Sequence, residues 1–370
     1  MLRNLYLVIA QECNLACTYC YAAGGGFGQP ELHMSEATMR LGLERLLPLA
    51  GKHLTLSFFG GEPLLNFPLL RETIGFATHL AGESGRTLSF ALTTNGTLLD
   101  DEMLDVIKER ISYLAVSLDG GQGANAGRIF QDGSPAFACI MENIERLRQR
   151  QIPFALRATV TPGNVGQALE TADFLAGFGA ASVRLLPAQG ITWPHEDRRR
   201  LRTVMAELNR RGLRALLDGA PAFGCEHTFR MAAQRVSGHA TERPCLAGGG
   251  ILALAADGAV YPCEHFVGVA ELNMGHVGNA DFLGERFRAV AARFAGCTTN
   301  ARPRCADCGV RDACGGQCYA EAHLATGTIE RPDAGYCALV QTIFRAIEPE
   351  LSLGLSNPEQ AGRLRQVFEG

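Results

Sequence analysis

The fold is decided by the stretch Leu5-Tyr-Leu-Val-Ile-Ala-Gln-Glu-Cys-Asn-Leu-Ala-Cys-Thr-Tyr-Cys20. Its apolar first part predicts a buried strand, and three cysteines spaced Cys-x₃-Cys-x₂-Cys follow directly. Thiolates at this spacing can bind three irons of one cubic iron–sulfur cluster and leave the fourth iron open to another ligand. Three cysteines alone also occur by chance or in zinc sites, so the rest of the chain has to separate these alternatives.

Five more short apolar segments recur along the chain, and each is followed by a helix-like stretch. Ser35 is the predicted N-cap of the first helix, Asp100 or Asp101 that of the third, and a further helix opens at Ser134. Strands that are apolar throughout and alternate with helices predict a parallel sheet with right-handed crossovers. Six units are too few for a full eight-fold barrel, so the predicted α/β fold is a partial (β/α)6 TIM-like barrel. The predicted strands are Leu5–Ala10, Leu54–Phe59, Thr87–Leu92, Ser112–Leu118, Phe154–Val160 and Ser182–Leu186.

The sequence pattern changes after Leu217. Residues 218–244 contain clusters of Gly and Pro and are predicted to be a linker. From 245 to 337 cysteine and glycine become dense and the apolar pattern weakens, so this region needs another source of stability, which bound metal supplies. The predicted organisation is a core over residues 1–217, the linker, a small cysteine-rich domain over 245–337, and a C-terminal helix or tail over 338–370.

Composition and charge exclude several functional classes. The 370 residues contain no apolar run long enough to span a membrane, and no signal-peptide pattern precedes the first strand. The formal net charge of −4 argues against nucleic acid as the main partner. Thirteen cysteines, an odd number, fit metal ligands in a reducing compartment better than a disulfide framework. We therefore expect a cytoplasmic protein that binds neither a membrane nor nucleic acid.

The cysteines of the C-terminal region follow a specific order. Twelve residues separate Cys245 from Gly258, four more precede Cys263, and then come Cys305-x₂-Cys308-x₅-Cys314-x₃-Cys318 and Cys337. This order resembles the SPASM domain, and the triad at residues 13, 17 and 20 resembles the loop that holds the S-adenosylmethionine (SAM) cluster in radical SAM enzymes. The chain is therefore identified as a member of the radical SAM superfamily with a C-terminal SPASM domain.

The resemblance implies SAM and three 4Fe-4S clusters, one that binds SAM and two auxiliary clusters, as cofactors. It implies three sets of metal ligands: Cys13, Cys17 and Cys20 for the SAM cluster; Cys245, Cys263 and Cys318 for the first auxiliary cluster, with Cys225 as a candidate fourth ligand; and Cys305, Cys308, Cys314 and Cys337 for the second. Two cysteines match no motif position. Cys139 is predicted to lie in the core and Cys297 to be an unliganded thiol.

Three further segments at the ends of predicted strands resemble the SAM pocket of radical SAM enzymes. They are Gly60–Pro63, Thr93–Gly96 and Ser117–Gly120. The glycines of Gly60-Gly-Glu-Pro63 let the backbone approach the cofactor, and Glu62 can accept a hydrogen bond from the SAM ammonium. Arg157 would direct a cation toward the SAM carboxylate, with a buried structural arginine as the alternative. The predicted SAM contacts are Gly60, Gly61, Glu62, Pro63, Thr94, Asn95, Ser117 and Arg157. One departure follows Ser117-Leu-Asp-Gly120, where many relatives have Pro and His-Asp and this chain has Gly121-Gln-Gly-Ala-Asn-Ala-Gly-Arg128.

The resemblance implies that SAM is cleaved by one electron to a 5′-deoxyadenosyl radical, which takes hydrogen from an unactivated substrate carbon. SPASM proteins mostly act on peptides or proteins, and Cys20-Tyr-Ala-Ala-Gly-Gly-Gly-Phe-Gly28 resembles maturases of ribosomally made peptides. The predicted function is a peptide maturase that forms a crosslink, such as a thioether, or an oxidised residue. The implied partners are a precursor peptide or protein, an electron donor such as flavodoxin or ferredoxin, and, since the chain opens at its first strand, a separate leader-binding protein.

Two alternatives stay open. Cys263-Glu-His-Phe-Val267 is similar to the Cys-Asp-His-Phe-Val of anaerobic sulfatase-maturing enzymes, which oxidise Cys or Ser to formylglycine. Glu264 would then be the catalytic base, with a surface carboxylate or one outside the reacting centre as the other interpretation. The second alternative is a non-catalytic iron–sulfur or zinc-binding protein, against which the triad and Gly60–Pro63 argue.

Overall fold

The computed structural model describes residues 1–220, 223–224 and 226–369. It contains two compact units, and each is composed of three stretches of the chain. The first unit comprises Met1–Ser117, Ala126–Phe154 and Leu246–Gly296. The second unit comprises Leu118–Asn125, Ala155–Cys245 and Cys297–Gly370.

The secondary structure alternates between strands and helices over most of the chain. The strands are β1 (Leu2–Ala10), β2 (Ala50–Gly60), β3 (Thr87–Thr94), β4 (Tyr113–Ser117), β5 (Ala155–Val160), β6 (Ser182–Pro187), β7 (Phe223–Gly224), β8 (Ile251–Leu254), β9 (Ala259–Tyr261) and β10 (Gly275–His276). The helices are α1 (Glu36–Leu46), α2 (Phe67–Glu83), α3 (Asp101–Arg110), α4 (Phe137–Gln149), α5 (Ala168–Ala176), α6 (His195–Leu217), α7 (Glu226–Ser237), α8 (Glu285–Gly296), α9 (Arg311–Cys314), α10 (Tyr319–Thr326), α11 (Ala334–Ser356) and α12 (Pro358–Glu369).

The first unit is built on a mostly parallel sheet with strand order β10-β9-β8-β1-β2-β3-β4. Strand β1 lies between β2 and β8 and pairs parallel with both, whereas β8, β9 and β10 form an antiparallel meander. Most of β1 is buried, including Leu5, Leu7 and Ile9, which explains why this strand reads as a continuous apolar run. The parallel strands therefore all end at the edge where the cysteine triad follows β1.

The predicted helix starts are largely confirmed. Ser35 caps α1, because its hydroxyl oxygen accepts a hydrogen bond from the amide of Thr38 at 3.1 Å. Asp100, rather than Asp101, caps α3 through the amide of Met103 at 2.8 Å. Helix α4 begins at Phe137, three residues after the predicted start, with Ala136 at its N-cap position.

The second unit combines the parallel strands β5, β6 and β7 with long helices. Helices α6 and α11 pack against each other, and Arg210 and Arg214 on α6 both form ion pairs with Glu350 on α11. Asp119 is almost fully buried, and its carboxylate accepts a hydrogen bond from the amide of Thr159 at 2.7 Å, so it fixes the end of β5. The ion pairs with Glu350 explain part of the arginine-rich sequence of α6.

The segment expected to be a linker, residues 218–244, contains the amphipathic helix α7. Glycine and proline cluster at both ends of this segment. Because these residues are typical of loops, the sequence pattern predicted a linker and not the helix between them. A second helix, α8, lies inside the region 245–337, where the apolar pattern of the sequence weakens. In the part of the chain that the structure describes, no helix combines the length and apolar character that a membrane crossing requires.

Candidate cluster and cofactor sites

The cysteine triad lies in the loop after β1, and backbone contacts within the first unit hold this loop. The amides of Ala16 and Thr18 donate to the carbonyls of Ile129 and Gly127, at 2.8 and 3.0 Å. The side-chain amide of Gln131 donates to the carbonyl of Cys13 at 2.9 Å. The segment 127–131, which begins within the last residues of the departure from the family pattern, therefore positions the loop that carries the three thiols.

The Gly-Gly-Glu-Pro segment after β2 packs directly against the backbone around the triad. The amide of Gly61 donates to the carbonyl of Ala10 at 2.9 Å, and that of Glu62 donates to the carbonyl of Glu12 at 2.8 Å. A Cβ atom on Gly61 would lie 2.2 Å from the carbonyl oxygen of Glu12 and 2.7 Å from the Cα of Gly25. Since real Cβ atoms do not approach backbone so closely, only glycine allows these two segments to meet.

Glu62 is fully buried, and protein donors surround its carboxylate. One oxygen accepts hydrogen bonds from the amide of Leu64 at 3.0 Å and the hydroxyl of Thr94 at 2.9 Å, and the other accepts from the amide of Asn95 at 2.7 Å. Burial raises the pKa of Glu62 to about 7, although these three hydrogen bonds oppose the shift. The carboxylate thus links the loop after β2 to the end of β3. Its contact with SAM stays a prediction.

Asn95 connects this network to the first cysteine. Its amide nitrogen lies 3.7 Å from the sulfur of Cys13 and 2.8 Å from the side-chain oxygen of Asn14, while its own oxygen accepts from Thr97. The amide of Leu15 also donates to the Cys13 sulfur at 3.4 Å. Burial raises the pKa of the Cys13 thiol to about 12, so binding of a metal there would release a proton. Asn14 and Thr97 match no motif. The one signal in the sequence that could have indicated them is that they are neighbours of Cys13 and Asn95 along the chain.

Two other predicted SAM contacts are half-buried strand residues. Ser117 is the last residue of β4 in the first unit, and Arg157 lies on β5 in the second. Their roles as SAM contacts stay predictions.

The candidate base Glu264 is buried, so its interpretation as a surface carboxylate is wrong. It follows Cys263 in a short 3₁₀ helix, and its carboxylate lies 3.5 Å from Nε2 of His265. The ring of His265 packs against that of Tyr21 with 4.5 Å between their centroids, and Tyr21 directly follows Cys20. The loop after β9 therefore reaches the triad loop through an aromatic contact that no sequence motif indicated.

Four of the C-terminal cysteines line one cavity of about 250 Å³ in the second unit. These are Cys305, Cys308, Cys314 and Cys337. The cavity far exceeds the ~15 Å³ needed by a single water. Its thiol lining suits a soft multi-iron cluster, with the Gln341 amide 3.7 Å from the Cys308 sulfur. Among the described residues, no group of three or more His, Cys, Asp or Glu side chains has the spacing of a single-ion site.

The remaining cysteines are placed as follows. Burial raises the pKa of Cys318 above its usual range, and the neighbouring Glu321 and Cys245 act in the same direction. Cys263 belongs to the first unit and is buried. Cys225 lies outside the described residues, so its role as a fourth ligand stays a prediction. Cys139 is half-buried rather than fully in the core, and its thiol donates to the carbonyl of Thr97 at 3.4 Å.

Residues 7–175 match the model of the radical SAM superfamily. This range contains the triad, the Gly-Gly-Glu-Pro segment, the end of β1 and the parallel strands from β2 to β5. The chain contains a radical SAM domain. It is therefore an enzyme, and the non-catalytic alternative is set aside. The family implies SAM and a 4Fe-4S cluster, and the triad and the loop after β2 stay the predicted binding residues.

Two curated relatives extend the comparison. The chain is 25% identical over 353 residues to the serine-type anaerobic sulfatase-maturating enzyme of Klebsiella aerogenes. This match covers 92% of the chain and 85% of that protein. It is 29% identical over 182 residues to the uncharacterized protein MJ0907 of Methanocaldococcus jannaschii, and this match covers 49% of the chain. The chain spans only 61% of the length of MJ0907.

Two solved structures share the fold. The protein anSMEcpe, solved with bound AdoMet and the Cp18Cys peptide, has a TM-score of 0.79 at 18% identity, and the match covers 96% of this chain and 99% of anSMEcpe. SuiB of Streptococcus suis, solved with its precursor peptide SuiA, has a TM-score of 0.60 at 16% identity and covers 90% and 76%. The predicted α/β radical SAM fold is thus confirmed.

Replacing Gly61 with Ala is expected to disturb the triad loop. The new Cβ meets backbone atoms, so the main chain has to move, and we expect a loss of about 1–3 kcal/mol in the free energy of unfolding. Iron bound by the triad should fall as well. The control is Gly75→Ala in α2, where nothing lies within 4 Å of the new Cβ and a gain of about 0.5–1 kcal/mol is expected. Wild-type stability with full iron in Gly61→Ala would contradict the close-contact interpretation.

Replacing Glu62 with Gln is expected to remove a pH dependence from the metal-free protein. The pKa of Glu62 is raised to about 7 in the fold, so its stabilising contribution is present below its unfolded pKa of 4.5 and is lost as the pH rises toward 7. This loss is roughly 3 kcal/mol. Urea unfolding from pH 4.5 to 7.5 should show the decline in the wild type and in the control Glu72→Gln, whose carboxylate is exposed. An unchanged decline in Glu62→Gln would be inconsistent with this assignment.

Proposed function

We propose that this enzyme is a radical SAM and SPASM peptide maturase that removes hydrogen from a side chain of a ribosomally made peptide and leaves a crosslink or an oxidised residue. The observation that carries the proposal is the cavity lined by four thiols in the second unit. A site for a second redox group, in addition to the triad, gives the electron left on the substrate a place to go. A peptide substrate is supported by the two relatives of the same fold that were solved with bound peptides.

In the proposed mechanism, the bound SAM cluster and SAM would supply a 5′-deoxyadenosyl radical for hydrogen abstraction. Cys13, Cys17 and Cys20 would hold the cluster, and the Gly60–Pro63 loop with Thr94, Asn95, Ser117 and Arg157 would orient SAM. The chain's task is to fix this geometry and to exclude water and other hydrogen donors. Glu62 and Asn95 contribute by tying the ends of β2 and β3 to the triad loop.

Two auxiliary 4Fe-4S clusters complete the proposal. Cys245, Cys263 and Cys318 would hold the first, and the four thiols of the cavity the second. The proposed reaction also needs an external one-electron donor, for which a flavodoxin or a ferredoxin is suitable.

A second candidate function is the oxidation of Ser or Cys to formylglycine in a sulfatase. It is favoured by the burial of Glu264 next to Cys263 and by the curated relative that matches 92% of the chain. In this reaction Glu264 would accept the proton that leaves the oxidised side chain. The candidate differs from the first in its product, which contains a carbonyl group and no new crosslink.

The metal content tests the cluster assignment. The anaerobically reconstituted chain is expected to bind about twelve irons and to convert SAM to 5′-deoxyadenosine. Cys13→Ala should lower the iron to about eight and abolish SAM cleavage, whereas Cys305→Ala should lose iron but retain SAM cleavage. Cys139→Ala, a cysteine outside the ligand sets, serves as the control and should keep the full content. A chain that binds only zinc, or that binds iron without cleaving SAM, would contradict the proposal.

The product of a peptide substrate separates the two functions. The reconstituted enzyme is incubated with the short peptide encoded beside its gene and with a Ser- or Cys-containing sulfatase peptide. A crosslink removes the mass of two hydrogen atoms and blocks alkylation of a cysteine. Oxidation of Ser removes the same mass but adds a carbonyl that reacts with hydrazines. Oxidation of Cys gives the same carbonyl, and an oxygen atom from water replaces the sulfur, which leaves as hydrogen sulfide. If neither peptide changes mass while SAM is cleaved, both proposed substrates are wrong.

The role of Glu264 is tested in the same assay. If Glu264 is the base for formylglycine formation, Glu264→Gln should lower the rate of carbonyl formation by about 10²–10⁴-fold. The exposed Glu285 at the start of α8 provides the matched control. Carbonyl formation that is equally fast in Glu264→Gln and Glu285→Gln would contradict the role of Glu264 as the base.

A further inference from the structure

Arg302 is an arginine buried inside the cysteine-rich part of the second unit, with 1% of its surface exposed. Its guanidinium is held at three points. Nε lies 3.3 Å from the sulfur of Cys297, one terminal nitrogen donates to the carbonyl of Gln317 at 2.7 Å, and the other donates to the carbonyl of Ile329 at 2.5 Å. The ring of Tyr319 covers its face at 4.7 Å. The position of the cation is therefore fixed.

No carboxylate among the described residues neutralises this cation. The polar partners of its guanidinium are two carbonyls and a sulfur, and an aromatic ring covers one face. Burying a charge is costly unless an opposite charge compensates it. These neutral contacts stabilise the guanidinium only in part, so an anionic group beside it would be favourable.

The cavity with four thiols lies next to this cation. The amide of Cys305 donates to the carbonyl of Arg302 at 3.1 Å, and the carbonyl of Gln317 that receives the guanidinium directly precedes Cys318. A Cβ atom on Gly316, which lines the cavity, would lie 2.8 Å from a terminal nitrogen of Arg302. The guanidinium thus packs against the turn between Cys314 and Cys318.

Arg302 differs from the other cations near the cavity in its burial. Arg304 and Arg311 line the cavity, but Arg304 is exposed and Arg311 is half-buried, whereas Arg302 is almost completely shielded from water. A charge in a surrounding of low dielectric acts more strongly on a neighbouring group than an exposed charge does.

We infer that Arg302 is the fixed counter-cation of the cluster held by Cys305, Cys308, Cys314 and Cys337, and that it raises the reduction potential of this cluster. The inference rests on the proposed function. A cluster bound by four thiolates carries net negative charge, and reduction adds one more, so a buried cation favours the reduced form. Arg302 is a positioning residue that acts through the cluster, and Cys297 is its partner rather than a metal ligand.

This role fits the electron balance of the proposed reaction. After hydrogen abstraction, the substrate carbon radical bonds to a cysteine sulfur that has lost its proton to solvent. Formation of the carbon–sulfur bond leaves one electron, for which a cluster held by the four thiols of the cavity would be the acceptor. A higher potential at this cluster makes the transfer more favourable, so Arg302 would direct the electron to the site with four thiols.

The test is a redox titration of the reconstituted full chain, followed by electron paramagnetic resonance. A parallel series carries Ala at Cys13, Cys17 and Cys20, so that only the auxiliary clusters contribute to the signal. Arg302→Gln should lower the reduction equilibrium constant of one cluster at least tenfold, which is a shift of about 59 mV to more negative potential. Arg302→Lys retains the charge and should keep most of the wild-type potential. Arg304→Gln removes an exposed charge that lines the same cavity and should shift it less.

Iron analysis precedes the titration and separates the possible failures. A wild-type chain without iron would refute the proposed clusters themselves. Full iron with an unchanged potential in Arg302→Gln would overturn the inference, as would equal shifts in Arg302→Gln and Arg302→Lys. If Arg302→Gln loses one cluster, the iron content of Arg302→Lys decides the outcome. Full iron in Arg302→Lys would support the need for a positive charge, and loss of iron in Arg302→Lys would overturn the inference. Cys297→Ala should keep its full iron content, whereas loss of a cluster would make Cys297 a ligand.

Discussion

The backbone of Gly61 lies so close to the residues after β1 that no side chain fits between them. Its amide and that of Glu62 bind the carbonyls of Ala10 and Glu12, and its Cα faces Gly25 beyond the triad. Two chain segments that are distant in sequence are thereby locked together at the edge where the parallel strands end. The conformation of the cysteine loop and the placement of Glu62 depend on this contact.

Burial then decides what the charged groups near the cysteines do. Glu62 would be an ordinary acceptor on a surface, but inside the protein it is surrounded by three donors and becomes a tie between strand ends. Arg302 is a buried cation whose polar contacts are neutral, which indicates that an anion belongs beside it. The same desolvation raises the pKa of Cys13 and Cys314, so thiols that would carry metal are protonated without it.

Much of the fold was predictable because its signals are local. Each predicted parallel strand overlaps an observed one, since a strand buried on both faces has to be apolar throughout. Ser35 and Asp100 were recognised as N-caps from residue type and position. Helix α7 was missed because its flanking glycines and prolines resemble a linker. The burial of Glu264 was not predictable either, since it depends on contacts with residues far away in the chain.

The sequence by itself determined which chemistry to expect. The spacing of the three cysteines and the Gly-Gly-Glu-Pro segment are short-range patterns that a loop can satisfy alone, and the later cysteines follow a fixed order along the chain. Only the tertiary structure decided how these groups are supported. It joined Asn95 to Cys13, His265 to Tyr21, and Arg302 to Gln317. These pairs match no motif, because each contact depends on packing between residues with no fixed spacing along the chain.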